Sequence, residues 1–152
     1  MKDFRSYLTE LFEQPWLHID TTQYTRDGLL SVNYIYADPR NPKDYTKYMM
    51  VIFEQQNKNL WALLFHRGGS FTASGQGDAG RIFASVLDAV DKFMKNHKPE
   101  YITFSALKDK GSSRERAYAA LVKRFASKYG YAVDHKESGD VEAVWKLRRG
   151  GA

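Results

Sequence analysis

The chain has no cysteine among its 152 residues, which excludes disulfide bonds and thiolate chemistry together. No apolar run approaches the roughly 20 residues that a membrane-crossing helix needs. The opening stretch "MKDFRSYLTELFEQ" carries charges throughout, so no signal peptide or membrane partner is expected, and the expected compartment is the cytoplasm. Histidine is sparse. His18, His66, His97 and His135 stand tens of residues apart, without the spacing that brings ligands together, and no metal is expected. Neither a nucleophile elbow nor a Ser/His/Asp order is visible. Internal repeats, low-complexity tracts and linkers are also missing. The expectation is therefore one domain over residues 1–148, followed by a flexible tail at 149–152.

What is present suffices for a packed core, with 43% hydrophobic and 14% aromatic residues. The net charge of +5 is concentrated. Lys108, Lys110, Arg114, Arg116, Lys123, Arg124 and Lys128 face only Asp109 and Glu115 within 108–128, a local excess equal to that of the whole chain. Such a run is a solvated helix face, or it meets an anion: a phosphate-bearing cofactor or a nucleic acid.

Phe4, Tyr7, Leu8, Leu11 and Phe12 recur at helical spacing, and Pro15 ends that helix. "GLLSVNYIY" alternates Leu30, Val32, Tyr34 and Tyr36 against Ser31 and Asn33, the pattern of a half-buried strand. "ADPRNPKDY" is a loop, and "KYMMVIFEQ" and "LWALLFHR" are strands joined through "QNKN". A short strand "SFTAS" precedes a glycine-rich loop. From about Asp78 the period becomes helical, with Ile82, Phe83, Val86, Leu87, Val90, Phe93 and Met94 on one stripe and Pro99 as the stop. "YITFSA" reads as a strand covered on both faces. After "KDKGSS", Tyr118, Leu121, Val122, Phe125 and Tyr129 share a helix face, and Gly130 follows as its C-terminal glycine. "YAVDHK" and "VEAVWKL" form a closing strand pair around "ESGD", with Val141, Ala143, Trp145 and Leu147 alternating against Glu142 and Lys146. The fold class is thus α/β in the mixed α+β sense: an antiparallel N-terminal half, a β-α-β crossover and a C-terminal strand pair.

Gly75, Gly77 and Gly80 have the spacing G-x-G-x-x-G at the start of a helix, where backbone N–H groups and the helix dipole can hold phosphate. A dinucleotide site would also need an acidic residue near the end of the next strand, and "FSA" offers none before Asp109. A phosphate loop of the Walker type would need Lys-Ser/Thr, which does not follow.

This order of elements, with Ser74-Gly75-Gln76-Gly77-Asp78-Ala79 at the strand-to-helix junction, resembles the GNAT superfamily of N-acetyltransferases over residues 45–148. In that family a Q/R-x-x-G-x-G/A motif at this junction binds the pyrophosphate of acetyl-CoA. "ITFSALKDKGSSRERAYAALVKRFASKYGY" is similar to the family's later strand, loop and tyrosine-bearing helix. "GDAGRIFASVLDAV" and "SSRERAY" also look like parts of small proteins of tailed phages. Ser74 stands where the motif has Gln or Arg, Asp78 adds a carboxylate, and "ADPRNPKDYTK" occupies the place of two acceptor-site helices.

The resemblance implies acetyl-CoA as acyl donor and an amine, of protein or small molecule, as acceptor. It places Ser74, Gly75, Gln76, Gly77, Asp78 and Ala79 at the cofactor pyrophosphate. By their places at helix starts, Gly80 and Arg81 are further candidates for that phosphate, and Ser113 and Arg114 for another cofactor phosphate or a nucleic-acid backbone. Tyr118 corresponds to the family's acid for the leaving thiolate, and Glu54 is the candidate base for the incoming ammonium. Tyr118 also reads as a core tyrosine, and Glu54 as an ordinary strand-end glutamate. Two other functions stay open: a non-catalytic protein of this fold that binds a host protein, and a nucleic-acid-binding module using 108–128 with Tyr45, Tyr48 or Trp61.

Overall fold

The computed structural model describes residues 15–67, 79–107, 113–139 and 142–150. The expected N-terminal helix, the strand "SFTAS" and most of "KDKGSS" lie outside those residues. The elements are β1 (Leu17–Arg26), β2 (Leu29–Ala37), β3 (Met49–Gln55), β4 (Leu60–Arg67), α1 (Ala79–Asn96), β5 (Tyr101–Leu107), α2 (Ser113–Tyr129), β6 (Tyr131–Ser138) and β7 (Glu142–Arg149), with a 3-10 turn at Tyr45–Lys47. The strands form one sheet in the order β1-β2-β3-β4-β5-β7-β6. β4 and β5 are parallel, whereas β5–β7 and β6–β7 are antiparallel. The mixed α+β class, the β-α-β crossover and the closing strand pair are present.

Sequence periodicity does not announce β1, because all ten of its residues are exposed. The available signal is Asp27-Gly28. Both residues have positive φ, 53° and 77°, as a two-residue type I′ hairpin turn requires. In β2 the expected half-burial is corrected: Ser31 and Asn33 are buried together with Val32, Tyr34 and Tyr36. β2 is an interior strand, and Asn33 meets a partner there, its Nδ2 donating to Thr22 Oγ1 at 3.3 Å.

The chain forms two compact units, one of residues 1–23, 32–52 and 65–97, the other of 24–31, 53–64 and 98–152. In the first, α1 buries Ile82, Phe83, Val86, Val90 and Phe93, each worth about 1.5–3 kcal/mol over an exposed side chain. Phe65 meets Phe83 edge-on at 5.9 Å. Ser85 is fully buried because its hydroxyl has two partners, accepting from Trp16 N at 2.8 Å and donating to Arg81 O at 2.7 Å.

In the second unit, α2 buries Tyr118, Leu121, Val122 and Phe125, the face that its periodicity predicts. Phe104 of β5 packs edge-on against Phe125 at 5.1 Å. Burial along β5 alternates, with Ile102 and Phe104 sealed and Tyr101, Thr103 and Ser105 partly open. The expectation of cover on both faces is thus corrected: α2 takes one face, while on the other Tyr101 sits under Lys146 Nζ at 4.7 Å. Gly130 has φ +74°, and its N–H donates to Ala126 O at 3.0 Å, closing α2 as expected. β7 runs through Arg149, one residue into the expected tail. Arg149 N donates to Glu100 O and Gly150 N to Gly130 O, both at 2.8 Å, and these bonds hold Arg149 and Gly150 in place.

Candidate functional site

Ser74, Gly75, Gln76, Gly77 and Asp78 lie outside the described residues. The helix they lead into begins at Ala79, so Ala79, Gly80 and Arg81 form its first turn. A helix start offers backbone N–H donors and partial positive charge, and Arg81 is exposed there. Ser113 and Arg114 open α2 in the same way.

The sheet supplies the next part. β4 and β5 pair in parallel from Leu60↔Tyr101 to Leu63↔Phe104. β5 then continues to Leu107, keeping its ladder with β7 as far as Leu107↔Glu142. Among the described residues, Ser105, Ala106 and Leu107 therefore have β7 on one side and no register with β4 on the other. At the last paired level, Phe104 stands opposite Trp145 of β7. Tyr118 of α2 stacks on Trp145, with ring centroids 6.5 Å apart and planes only 2° from parallel. Tyr118 thus sits beside the point where the parallel register stops. Its ring is 5% exposed, within the packed face of α2. Trp145 stood in the sequence as an inward residue of the last strand; its pairing with Tyr118 depends on the sheet order and had no local signal.

Glu54 is the penultimate residue of β3 and is half-buried. Its carbonyl lies 3.5 Å from Gln56 Nε2, at the limit of a hydrogen bond.

A second polar group lies on the first unit. Tyr36 donates its hydroxyl to Asp88 Oδ2 at 2.7 Å, Lys92 bonds the same oxygen, and the His18 ring lies 5.2 Å from that of Tyr36. Burial pushes the Asp88 carboxyl upward, but the hydrogen bonds from Lys92 and Tyr36 and the charges of Lys92 and His18 outweigh it and hold it below its ordinary value. Burial, followed by the bond to Asp88, raises the Tyr36 phenol. Sequence reading missed this group because Tyr36 and Asp88 are 52 residues apart.

Among the described residues no cluster of His, Cys, Asp or Glu could hold a metal ion, and no helix is long and apolar enough to cross a membrane. No protein-family model matches the chain, and no curated protein matches it. Among solved structures, the chain is similar to a crystal structure described as a "putative acetyltransferase" from Sphaerobacter thermophilus DSM 20745. Identity is 12%, covering 97% of this chain and 87% of that one, with a TM-score of 0.46. A likeness at that level says nothing about activity.

Proposed function

We propose that the chain is an acetyl-CoA-dependent N-acyltransferase that transfers the acyl group directly to an amine. The observation that carries the reading is the placement of Tyr118, on Trp145, at the level where the β4–β5 register ends. The C-terminal ends of parallel strands are where α/β sheets accept ligands. Backbone groups of Ser105–Leu107 that have lost a strand neighbour suit an extended, amide-bearing chain such as the pantetheine arm. By the family resemblance, the pyrophosphate would meet backbone N–H groups of the glycine loop.

In the reaction, the amine nitrogen bonds to the thioester carbonyl carbon and the carbon–sulfur bond breaks. Glu54 takes one proton of the incoming ammonium, Tyr118 supplies the proton that the leaving thiolate needs, and the tyrosinate recovers it from the second proton that the nitrogen loses on becoming an amide. One observation favours a second reading, a binding protein that has kept the fold: the Tyr118 ring is sealed in the core.

Calorimetry with acetyl-CoA separates the two. The acyltransferase reading expects binding, abolished by Gly77→Glu, and a Tyr118→Phe variant that binds normally but turns over more slowly by about 10²-fold or more. Absence of binding at about millimolar acetyl-CoA removes the acyltransferase reading and leaves the second.

A further inference from the structure

Among the described residues the sheet ends at β1 on one side and at β6 on the other, and the two outer strands are built differently. β6 carries Asp134, His135, Lys136 and Glu137 in succession, and its register with β7 slips between Val133 and His135. Charge and a bulge on an outer strand prevent another strand from adding to it. β1 carries less charge. It is ten residues long, without proline or lysine, and its acidic and basic residues are Asp20 and Arg26. It leaves Leu17, Ile19 and Tyr24 about half exposed, at 48%, 45% and 53%.

The backbone shows which groups β1 offers. A two-residue turn at Asp27-Gly28 between strands ending at Arg26 and starting at Leu29 implies a hydrogen-bonded Arg26–Leu29 pair, and alternate residues Thr25, Gln23, Thr21 and Ile19 then direct their N–H and C=O groups away from β2. Two contacts agree with this alternation. Leu30 N donates away from β1, to Gln55 Oε1 at 3.0 Å. Thr21 N donates to the neighbouring Asp20 carboxylate at 2.8 Å, a side chain standing in for a strand.

We propose that β1 pairs antiparallel with β1 of a second copy of this chain, about a two-fold axis at Gln23. That register sets Thr21 opposite Thr25 as a hydrogen-bonded pair. It sets Asp20 opposite Arg26 as a non-hydrogen-bonded pair, where side chains approach most closely. The two-fold repeats each pairing, so both Asp20 carboxylates meet a guanidinium. Moving the axis to Thr22 places Arg26 opposite His18, and moving it to Tyr24 places Arg26 opposite Thr22; either shift loses both ion pairs. On pairing, Thr21 N exchanges the Asp20 carboxylate for the carbonyl of the opposing Thr25, which frees that carboxylate for Arg26.

Light scattering and sedimentation over a concentration series test this. The expected mass is twice the 17.5 kDa of the chain, falling to one chain on dilution. Asp20→Arg or Arg26→Asp alone should weaken association by about tenfold or more. The double variant should restore it, since the pair re-forms with its signs exchanged. Gln23→Pro should give a monomer, because it removes the outward N–H at the axis. Circular dichroism melts of every variant verify folding, and the double swap controls for any single swap that folds poorly. A single-chain mass at all concentrations overturns the proposal. So does a dimer that both single swaps leave unchanged, or a dimer that the double variant fails to restore.

Discussion

Tyr131 combines burial with a hydrogen bond. Its hydroxyl donates to Pro99 O, its ring packs 4.9 Å from Phe125, and burial pushes its pKa up to about 12 from 10.0. The sign follows from linkage. A raised folded-state pKa contributes stability that is complete below the ordinary value and lost as pH rises toward 12. Tyr131→Phe keeps the ring but leaves a buried carbonyl without its donor, so it should cost about 1–3 kcal/mol in denaturant unfolding near neutral pH. In wild type that difference should fade at strongly alkaline pH. A tyrosine after the helix-ending glycine was legible in the sequence; its acceptor, 32 residues earlier, was not. The same holds for Tyr36 and Asp88. Local pattern reports which face a side chain occupies, and the partner is decided by the order of strands.

Elements with a buried stripe were legible. α1 and α2 follow their 3.6-residue spacing, and Ala143, Trp145 and Leu147 of β7 are buried as their alternation implies. β1 was not, because a strand with every side chain exposed carries no hydrophobic period, and its turn was the signal to read. β2 shows the opposite error: its polar alternates look solvent-facing, yet Ser31 and Asn33 are buried along with the apolar set, as in a strand covered on both faces. The glycine that ends α2 makes a clean test at this scale. Gly130 has φ +74°, and an added Cβ would meet nothing within 4 Å. Gly130→Ala should therefore cost about 1–2 kcal/mol through backbone strain alone. Melting temperature measures it, and Gly130→Asn should recover part of the loss because Asn tolerates this conformation better.

For the whole molecule, acid stability is set by groups whose folded-state pKa lies below its ordinary value. The His97 ring stacks on Phe93 at 4.7 Å, and burial lowers its pKa from 6.5. As pH falls, the unfolded chain takes up that proton first. The contribution is therefore complete above 6.5 and is lost as pH falls through the lowered value. Asp88 acts in the same direction from 3.8 downward. Urea unfolding at about pH 7.5 and about pH 5.5 should show wild type losing stability that His97→Gln does not lose. Of the candidate site, sequence order foretold a crossover beside a glycine loop; that the parallel register stops at Leu63↔Phe104 belongs to the sheet and has no local spelling. That crossover also governs assembly of the chain. The β1–β2, β3–β4 and β6–β7 pairs close over short turns, on the microsecond scale of hairpins. β5 is different. Its neighbours begin at Leu60 and end at Arg149, so both of its ladders must close long loops before they return any stability. Closure of the β5 ladders is therefore expected to limit the folding rate. Substitutions that weaken Phe104 packing should slow folding, whereas changes in the β1 turn should mainly speed unfolding.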